Sequence, residues 1–219
     1  MSNEADVRKI PARRGGLIVI SAPSGAGKTT LLARLLKSVD NLGYSISYTT
    51  RAPRPGEQHG KDYFFVSVDE FLRMRERGEF LESAYVHGNF YGTSRRVIED
   101  ELARGRDIVL DIDVQGASLI SQVMPHSAQV FIMPPGFDVL AQRLRSRGLD
   151  KPEDIEQRLR NARDEVIRFR EFHYVIINDD LEAATQYLIS IVHAERVRWR
   201  RSEHILRNLV STFEGVVKR

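Results

Sequence analysis

Short, unbroken apolar runs recur at Leu17 to Ile20, Ile108 to Leu110, Val130 to Met133 and Tyr174 to Ile177. They are too brief for core helices and do not alternate with polar residues, which is the pattern of strands buried on both faces. Between and after them apolar residues return at three- and four-residue spacing. That periodicity predicts helices over Lys28 to Ser38, Gln115 to Met124, Phe137 to Arg147, Glu153 to Glu171 and Leu181 to about Arg201. Leu181, Ala184, Leu188 and Ile191 form one such stripe. Strands and helices in alternation predict an α/β fold, a parallel sheet with helices on both faces.

Residues from about 43 to 95 break this rhythm, with Pro53, Pro55, Gly56 and Gly60 as turn signals and short aromatic strands at Tyr63 to Val66 and Phe80 to Tyr85. They read as an inserted β-rich subdomain. Between two Arg-rich helices, Gly148 can end one helix and Asp150 with Glu153 can cap the next. A helical lid over about residues 145–165 is the expectation. The chain then divides into a loose tail (1–15), one domain carrying both insertions (16–205) and a C-terminal extension (206–219).

Composition narrows the class. With 219 residues, 42% hydrophobic and 29% charged, the chain can bury a core, which excludes a disordered tail. Lys and Arg number 33 against 30 Asp and Glu, a net charge of +3, so no broad positive field draws in polyanions and no nucleic-acid partner is expected. Trp199 among Arg196, Arg198, Arg200 and Arg201 reads as a solvated helix end. The absence of Cys excludes disulfides, thiol nucleophiles and Cys-ligated zinc, and with the lack of a signal core points to the cytoplasm. The apolar runs are far shorter than the ~20 residues of a membrane span, so no membrane association is expected. A homo-oligomer stays open.

The chemistry begins where the first strand ends. Ile18-Val19-Ile20-Ser21 runs into Ala22-Pro23-Ser24-Gly25-Ala26-Gly27-Lys28-Thr29-Thr30 and then a helix, the order a P-loop requires. Gly25 and Gly27 let successive N–H groups turn inward, and the helix adds its positive end. Lys28 is placed to reach β- and γ-phosphate oxygens and Thr29 to offer a hydroxyl to Mg²⁺. Ala22 stands where the strict pattern has Gly. The looser form arises by chance in roughly 1–2% of chains this long, and the flanking strand and helix lower that further. These residues predict ATP binding on a P-loop NTPase-type sheet.

Ile108 to Leu110 ends in Asp111, an apolar strand closing on a carboxylate that can order Mg²⁺ or its water shell. Period-two alternation puts Asp113 on the same face, near the crevice at the strand ends. A GTPase would need a base-reading Asn-Lys-x-Asp, and no lysine here follows Asn. Ser47 to Tyr63 is dense in groups suited to a phosphate monoester: Arg51 and Arg54 offer planar forks and Tyr63 a hydroxyl.

That segment, the P-loop, Glu82, Gly88-Asn89-Phe90-Tyr91-Gly92-Thr93, Leu110-Asp111-Ile112-Asp113-Val114-Gln115-Gly116 and Ile177-Asn178-Asp179-Asp180 together resemble the guanylate kinase family from about Gly16 to the helix after Asp180. The resemblance implies transfer of the ATP γ-phosphoryl to GMP, and to dGMP as well, giving ADP and GDP in purine nucleotide metabolism, with Mg²⁺ as cofactor. It implies a grip on the GMP phosphate by Arg51, Arg54, Tyr63 and Tyr91. It also implies base reading by Ser47, Glu82, Thr93 and Asp113, with Gly92 at the same site. Lid arginines Arg147 and Arg158 would approach the transferred group, with Arg143 as a third. Asn178 and Asp179 would contact the ATP base or ribose. Guanine chemistry agrees: its N1–H and N2–H₂ donors call for a carboxylate such as Glu82 or Asp113, and its O6 for a hydroxyl such as Ser47 or Thr93. Two other readings stay open, a guanylate-kinase-like binding module for a phosphorylated protein and a P-loop kinase for another acceptor. Retention of Lys28, Thr29 and Asp111 weighs against the module.

Overall fold

The computed structural model describes residues 13–86, 88–146 and 152–214. In chain order the elements are β1 (Leu17–Ser21), α1 (Lys28–Ser38), β2 (Leu42–Tyr44), β3 (Tyr48–Thr49), β4 (Phe64–Phe65), α2 (Val68–Glu76), β5 (Phe80–Val86), β6 (Asn89–Ser94) and α3 (Arg95–Ala103). There follow β7 (Asp107–Asp111), α4 (Val114–Val123), β8 (Ala128–Met133), α5 (Phe137–Ser146), α6 (Pro152–Val166), β9 (Tyr174–Ile177), α7 (Leu181–Arg196) and α8 (Glu203–Glu214). The expected tail over the first residues, the junction between α5 and α6 with Arg147, and the end of the C-terminal extension lie outside the described residues.

The main sheet runs β2-β7-β1-β8-β9, with every pairing parallel. Its unbroken apolar strands have a simple cause. On β1 and β7, Leu17, Val19, Ile108 and Leu110 face Ile98 and Leu102 of α3 and Ala117 and Ile120 of α4. Their neighbours Ile18, Ile20 and Val109 face Leu31 and Leu35 of α1 and Ala184, Leu188 and Val192 of α7. Each such side chain, fully buried, is worth about 1.5–3 kcal/mol. β9 departs from the expectation of burial on both faces: it pairs only with β8, and its Val175 and Ile177 are exposed.

Between β2 and α3 the chain builds a second, mixed sheet, β4-β3-β6-β5, over Phe71, Met74 and Phe80, which fits the expected insertion. The helices α2 and α3 were not visible as periodicity because each buries only two residues, Phe71 and Met74 in one and Ile98 and Leu102 in the other. Ser67 caps α2 by accepting from the Glu70 amide at 3.1 Å.

Two predicted helices end early. The span Glu153 to Glu171 is α6 followed by a 3-10 turn from Ile167 to Glu171, and α7 stops at Arg196 before a second 3-10 turn, Trp199–Arg201. The Arg-rich stretch is therefore solvated only in part: Arg198, Trp199 and Arg200 are exposed beyond the end of α7, while Arg196 turns inward. Arg196 Nε donates to Asp107 Oδ2 at 2.7 Å, and Arg13 makes two bonds to the same buried carboxylate at 2.7 and 2.6 Å. Burial pushes the Asp107 carboxyl up, but the bonds from Arg13 and Arg196 outweigh it and hold it below the usual carboxylate range. This network ties the segment before β1 to the end of α7. Among the described residues no helix is long and apolar enough to cross a membrane.

Candidate active site

One cleft of about 560 Å³ opens at the C-terminal ends of β1 and β7, the edge where ligands of parallel sheets bind. The P-loop forms its floor. Gly27 takes φ 92° at the N-cap of α1 and provides no side-chain cap, and the first turn of α1 holds no acidic residue. The leading N–H groups of α1 thus lack a side-chain acceptor, the arrangement that suits a phosphate. A Cβ on Gly27 would meet Asn178 Nδ2 at 2.3 Å, so position 27 tolerates no side chain. Lys28 Nζ is paired with the Asp111 carboxylate, and Thr29 lines the cleft beside them. Among the described residues no cluster of three or more His, Cys, Asp or Glu can hold an ion. A hard divalent cation here has one carboxylate and one hydroxyl from the protein, so phosphate oxygens and water must complete its shell. The donor set fits Mg²⁺ carried by a nucleotide.

Across the cleft lies a cationic pocket. The Arg51 guanidinium donates through NH2 to both Glu57 carboxylate oxygens at 2.9 Å and through NH1 to the Ala52 carbonyl at 2.8 Å. It sits 5.4 Å from the Tyr63 ring centroid, and Tyr63 and Tyr91 meet edge to face at 6.1 Å. Burial raises the Glu57 carboxyl, but the bonds from Arg51 and the Arg54 amide outweigh it and keep it below the usual carboxylate range. The Tyr63 phenol is pushed up to about 12 by burial and by Asp111, so at neutral pH it is an O–H donor. Arg54 lines the same wall. Together these groups offer several donors and positive charge to a phosphate monoester.

The far end is acidic. Glu82 on β5 is buried, 7% exposed, and an irregularity in the β5–β6 ladder between Phe80 and Glu82 re-aims its side chain. The Thr93 hydroxyl donates to Glu82 Oε1 at 2.7 Å. Burial pushes the Glu82 carboxyl up to about 7, against the Thr93 bond and with help from Asp113. Asp113 is the N-cap of α4, its Oδ1 accepting from the Gly116 amide at 2.9 Å.

α6 forms the opposite wall with one stripe: Asp154, Gln157, Arg158, Asn161 and Glu165. Arg158 NH1 donates to Ser24 Oγ of the P-loop at 3.4 Å. Burial raises the Glu165 carboxyl to about 7, against the pull of Lys28.

The cleft thus brings together Ala22, Pro23, Ser24, Gly25, Gly27, Lys28, Thr29, Ser47, Arg51, Arg54, Tyr63, Glu82, Tyr91, Asp111, Asp113 and Arg158. Several expected residues lie off it. Ser21 is buried at the end of β1, and Thr30 is turned outward on α1. Ala26 and Asn178 face each other: the buried Asn178 amide donates to the Ala26 carbonyl at 2.7 Å, bracing the P-loop from behind. Its neighbour Asp179 accepts from the Asp180 amide, and Asp180 is the N-cap of α7, accepting from the Ala183 amide. Gly92 makes room for packing, since a Cβ there would meet Phe80 at 2.9 Å and Phe71 at 3.0 Å. Thr93 is fully buried and its hydroxyl donates to Glu82, which holds that carboxylate in place. Ser47 is the hydroxyl that lines the cleft. Gln157, Asn161 and Glu165 were missed by the sequence reading, although with Asp154 and Arg158 they recur at three- and four-residue steps, a legible polar stripe.

A phosphate loop on the central strand of a parallel sheet, a carboxylate on the adjoining strand and a second cationic pocket across one cleft define a P-loop phosphotransferase. The guanylate kinase family model matches residues 14–195, and this chain belongs to that family. A guanylate kinase of Desulfotalea psychrophila is 52% identical over 191 residues, covering 86% of this chain and 94% of the relative. One from Nitrosomonas europaea is 51% identical over 197 residues, 90% of this chain and 98% of that one. The crystal structure of guanylate kinase from Anaplasma phagocytophilum superposes with a TM-score of 0.74 at 37% identity, covering 87% of this chain and 90% of that chain.

Proposed function

We propose that this protein transfers the γ-phosphoryl group of ATP to GMP and dGMP, giving ADP and GDP or dGDP, in the cytoplasm. The observation that carries the base assignment is the buried carboxylate Glu82, with Asp113 beside it, at the end of the cleft beyond the cationic pocket. Acceptors there match guanine, which donates from N1 and N2, and oppose adenine, whose polarity is reversed at positions 1 and 6. A buried acceptor set leaves polar groups unpaired against the wrong base, at a cost on the order of 10⁴-fold in discrimination.

Catalysis in this reading is positioning and charge neutralisation, with no dedicated base. The P-loop amides and Lys28 hold the donor phosphates, Lys28 exchanging its Asp111 partner for them. Mg²⁺ bound with ATP, between Thr29 and Asp111, would neutralise the triphosphate oxygens. Arg51, Arg54, Tyr63 and Tyr91 hold the acceptor phosphate, and Arg158 reaches the transferred group from α6, with Arg147 as the second lid arginine of the family pattern. α6 over the cleft excludes water, the competing acceptor.

The direct test is ADP formation from Mg-ATP with GMP, dGMP, AMP, CMP, UMP and dTMP as separate acceptors. Turnover is expected with the two guanine nucleotides alone; equal turnover with AMP would discard the base assignment. A pH profile probes the same site. Glu82 accepts two N–H bonds only when ionised, and its carboxyl in the free enzyme is raised to about 7. Below that pH the proton-bound, unreceptive form dominates. Accordingly kcat/KM for GMP is expected to fall about tenfold per pH unit below about pH 7. The kcat profile should be flatter, because bound guanine favours the carboxylate. The limb should survive Glu165→Gln and be lost in Glu82→Gln; a limb unchanged in Glu82→Gln would remove Glu82 from base reading.

A further inference from the structure

Glu82 is confined from two directions. Thr93 tethers Oε1 at 2.7 Å from the neighbouring strand. On the other side stands the first turn of α4, at Gly116. A Cβ built there would lie 3.2 Å from Glu82 Oε2, 3.3 Å from Asp113 Oδ1 and 3.4 Å from Ile112 Cβ. Gly116 has no left-handed φ and lies within a regular helix, so its backbone is one that alanine adopts readily. Glycine weakens a helix relative to alanine, so the backbone gives no reason for its presence. The reason is space. A methyl group would press on both carboxylates by a few tenths of an ångström, Glu82 against its tether to Thr93 and Asp113 against its cap on the Gly116 amide.

We propose that Gly116 is a specificity-determining residue, whose missing side chain keeps both Glu82 carboxylate oxygens in place to read the 2-amino group of the acceptor purine together with N1–H. This rests on the guanine-nucleotide reading above. A carboxylate in register spans the adjacent N1–H and N2–H donors; one displaced at Oε2 by a few tenths of an ångström keeps the first and lengthens and bends the second. The residue would thus set the preference for GMP over inosine monophosphate, which carries the same N1–H and O6 without the amino group.

The experiment compares steady-state kinetics of Gly116→Ala with GMP and with inosine monophosphate under saturating Mg-ATP. The expected result is a KM for GMP raised at least tenfold, kcat and the KM for ATP within about threefold of the parent. The GMP over inosine monophosphate ratio of kcat/KM should fall at least tenfold. In a Glu82→Asp background, where the carboxylate is withdrawn by one methylene, the same substitution should change that ratio less than twofold, the non-additivity of groups in contact. An unchanged ratio, equal losses for both acceptors, or an undiminished penalty in the Glu82→Asp background would each overturn the proposal. If Gly116→Ala alone does not fold, the double variant should; its failure would place the need for glycine elsewhere and overturn the proposal too. A parent enzyme that phosphorylates another base but not GMP would remove the guanine reading itself, an outcome read before any variant is made.

Discussion

Lys28→Ala is expected to slow γ-phosphoryl transfer, measured in a single turnover, by about 10³-fold, or about 4 kcal/mol of transition-state stabilisation. The charge on the transferring group develops at oxygens that the loop amides and the cations at positions 28 and 158 are placed to meet in the same cleft. The loss should fall on the chemical step and on ATP binding together, because Lys28 touches the donor before and during transfer. GMP affinity should change little, since Arg51, Arg54 and Tyr63 stand across the cleft. Misfolding is not the expected cause. The ion pair with Asp111 is about one-fifth exposed on each side, so water can solvate the carboxylate left behind. A turnover within about tenfold of the parent would remove Lys28 from the chemistry.

Arg158→Ala should be nearly as severe and differently distributed: kcat lower by about 10³-fold or more, the range of arginines that meet a transferring phosphoryl group, with GMP affinity within about threefold. Its position explains the split. It belongs to the stripe of α6 that overlooks the P-loop, bonded to Ser24 at 3.4 Å and remote in sequence from the residues that hold the acceptor. Arg158→Lys should rescue poorly, because a point charge does not reproduce a planar fork. Stopped-flow GMP binding alongside quench-flow transfer separates the two quantities. Unchanged turnover would show that α6 carries no catalytic arginine at 158.

The P-loop and the strand end at Asp111 were legible because both are local: a few consecutive residues dictate the turn, the amide directions and the carboxylate position. The core strands were legible for a related reason, since a strand covered on both faces must be apolar throughout. α2 and α3 were not, because two buried residues do not make a period. The early ends of α6 and α7 were likewise hidden; the side chain of Arg196, the last residue of α7, reaches Asp107, 89 residues away in the chain.

At the candidate site the division is sharper. Glu82 carries no local signal and was singled out only through the family resemblance, because its burial depends on β5, β6 and α4 meeting. Thr93, expected with Ser47 among the base readers, has its hydroxyl on Glu82 Oε1, a contact between neighbouring strands that the sequence does not show. Asn178, expected at the ATP base or ribose, likewise braces the Ala26 carbonyl across 152 residues of chain.

The sequence by itself determined the class of fold, the phosphate loop and its carboxylate, and through a set of ordered motifs the family. Each of these is written in neighbouring residues or in the spacing of a few. Only the tertiary structure decided which hydroxyl lines the cleft and which lies on another side chain, what stands beside position 116, and which face of α6 overlooks the cleft. A hydrogen-bond donor is spent on the nearest acceptor in space, and proximity in space across a parallel sheet with an insertion is not a property that adjacency along the chain can express.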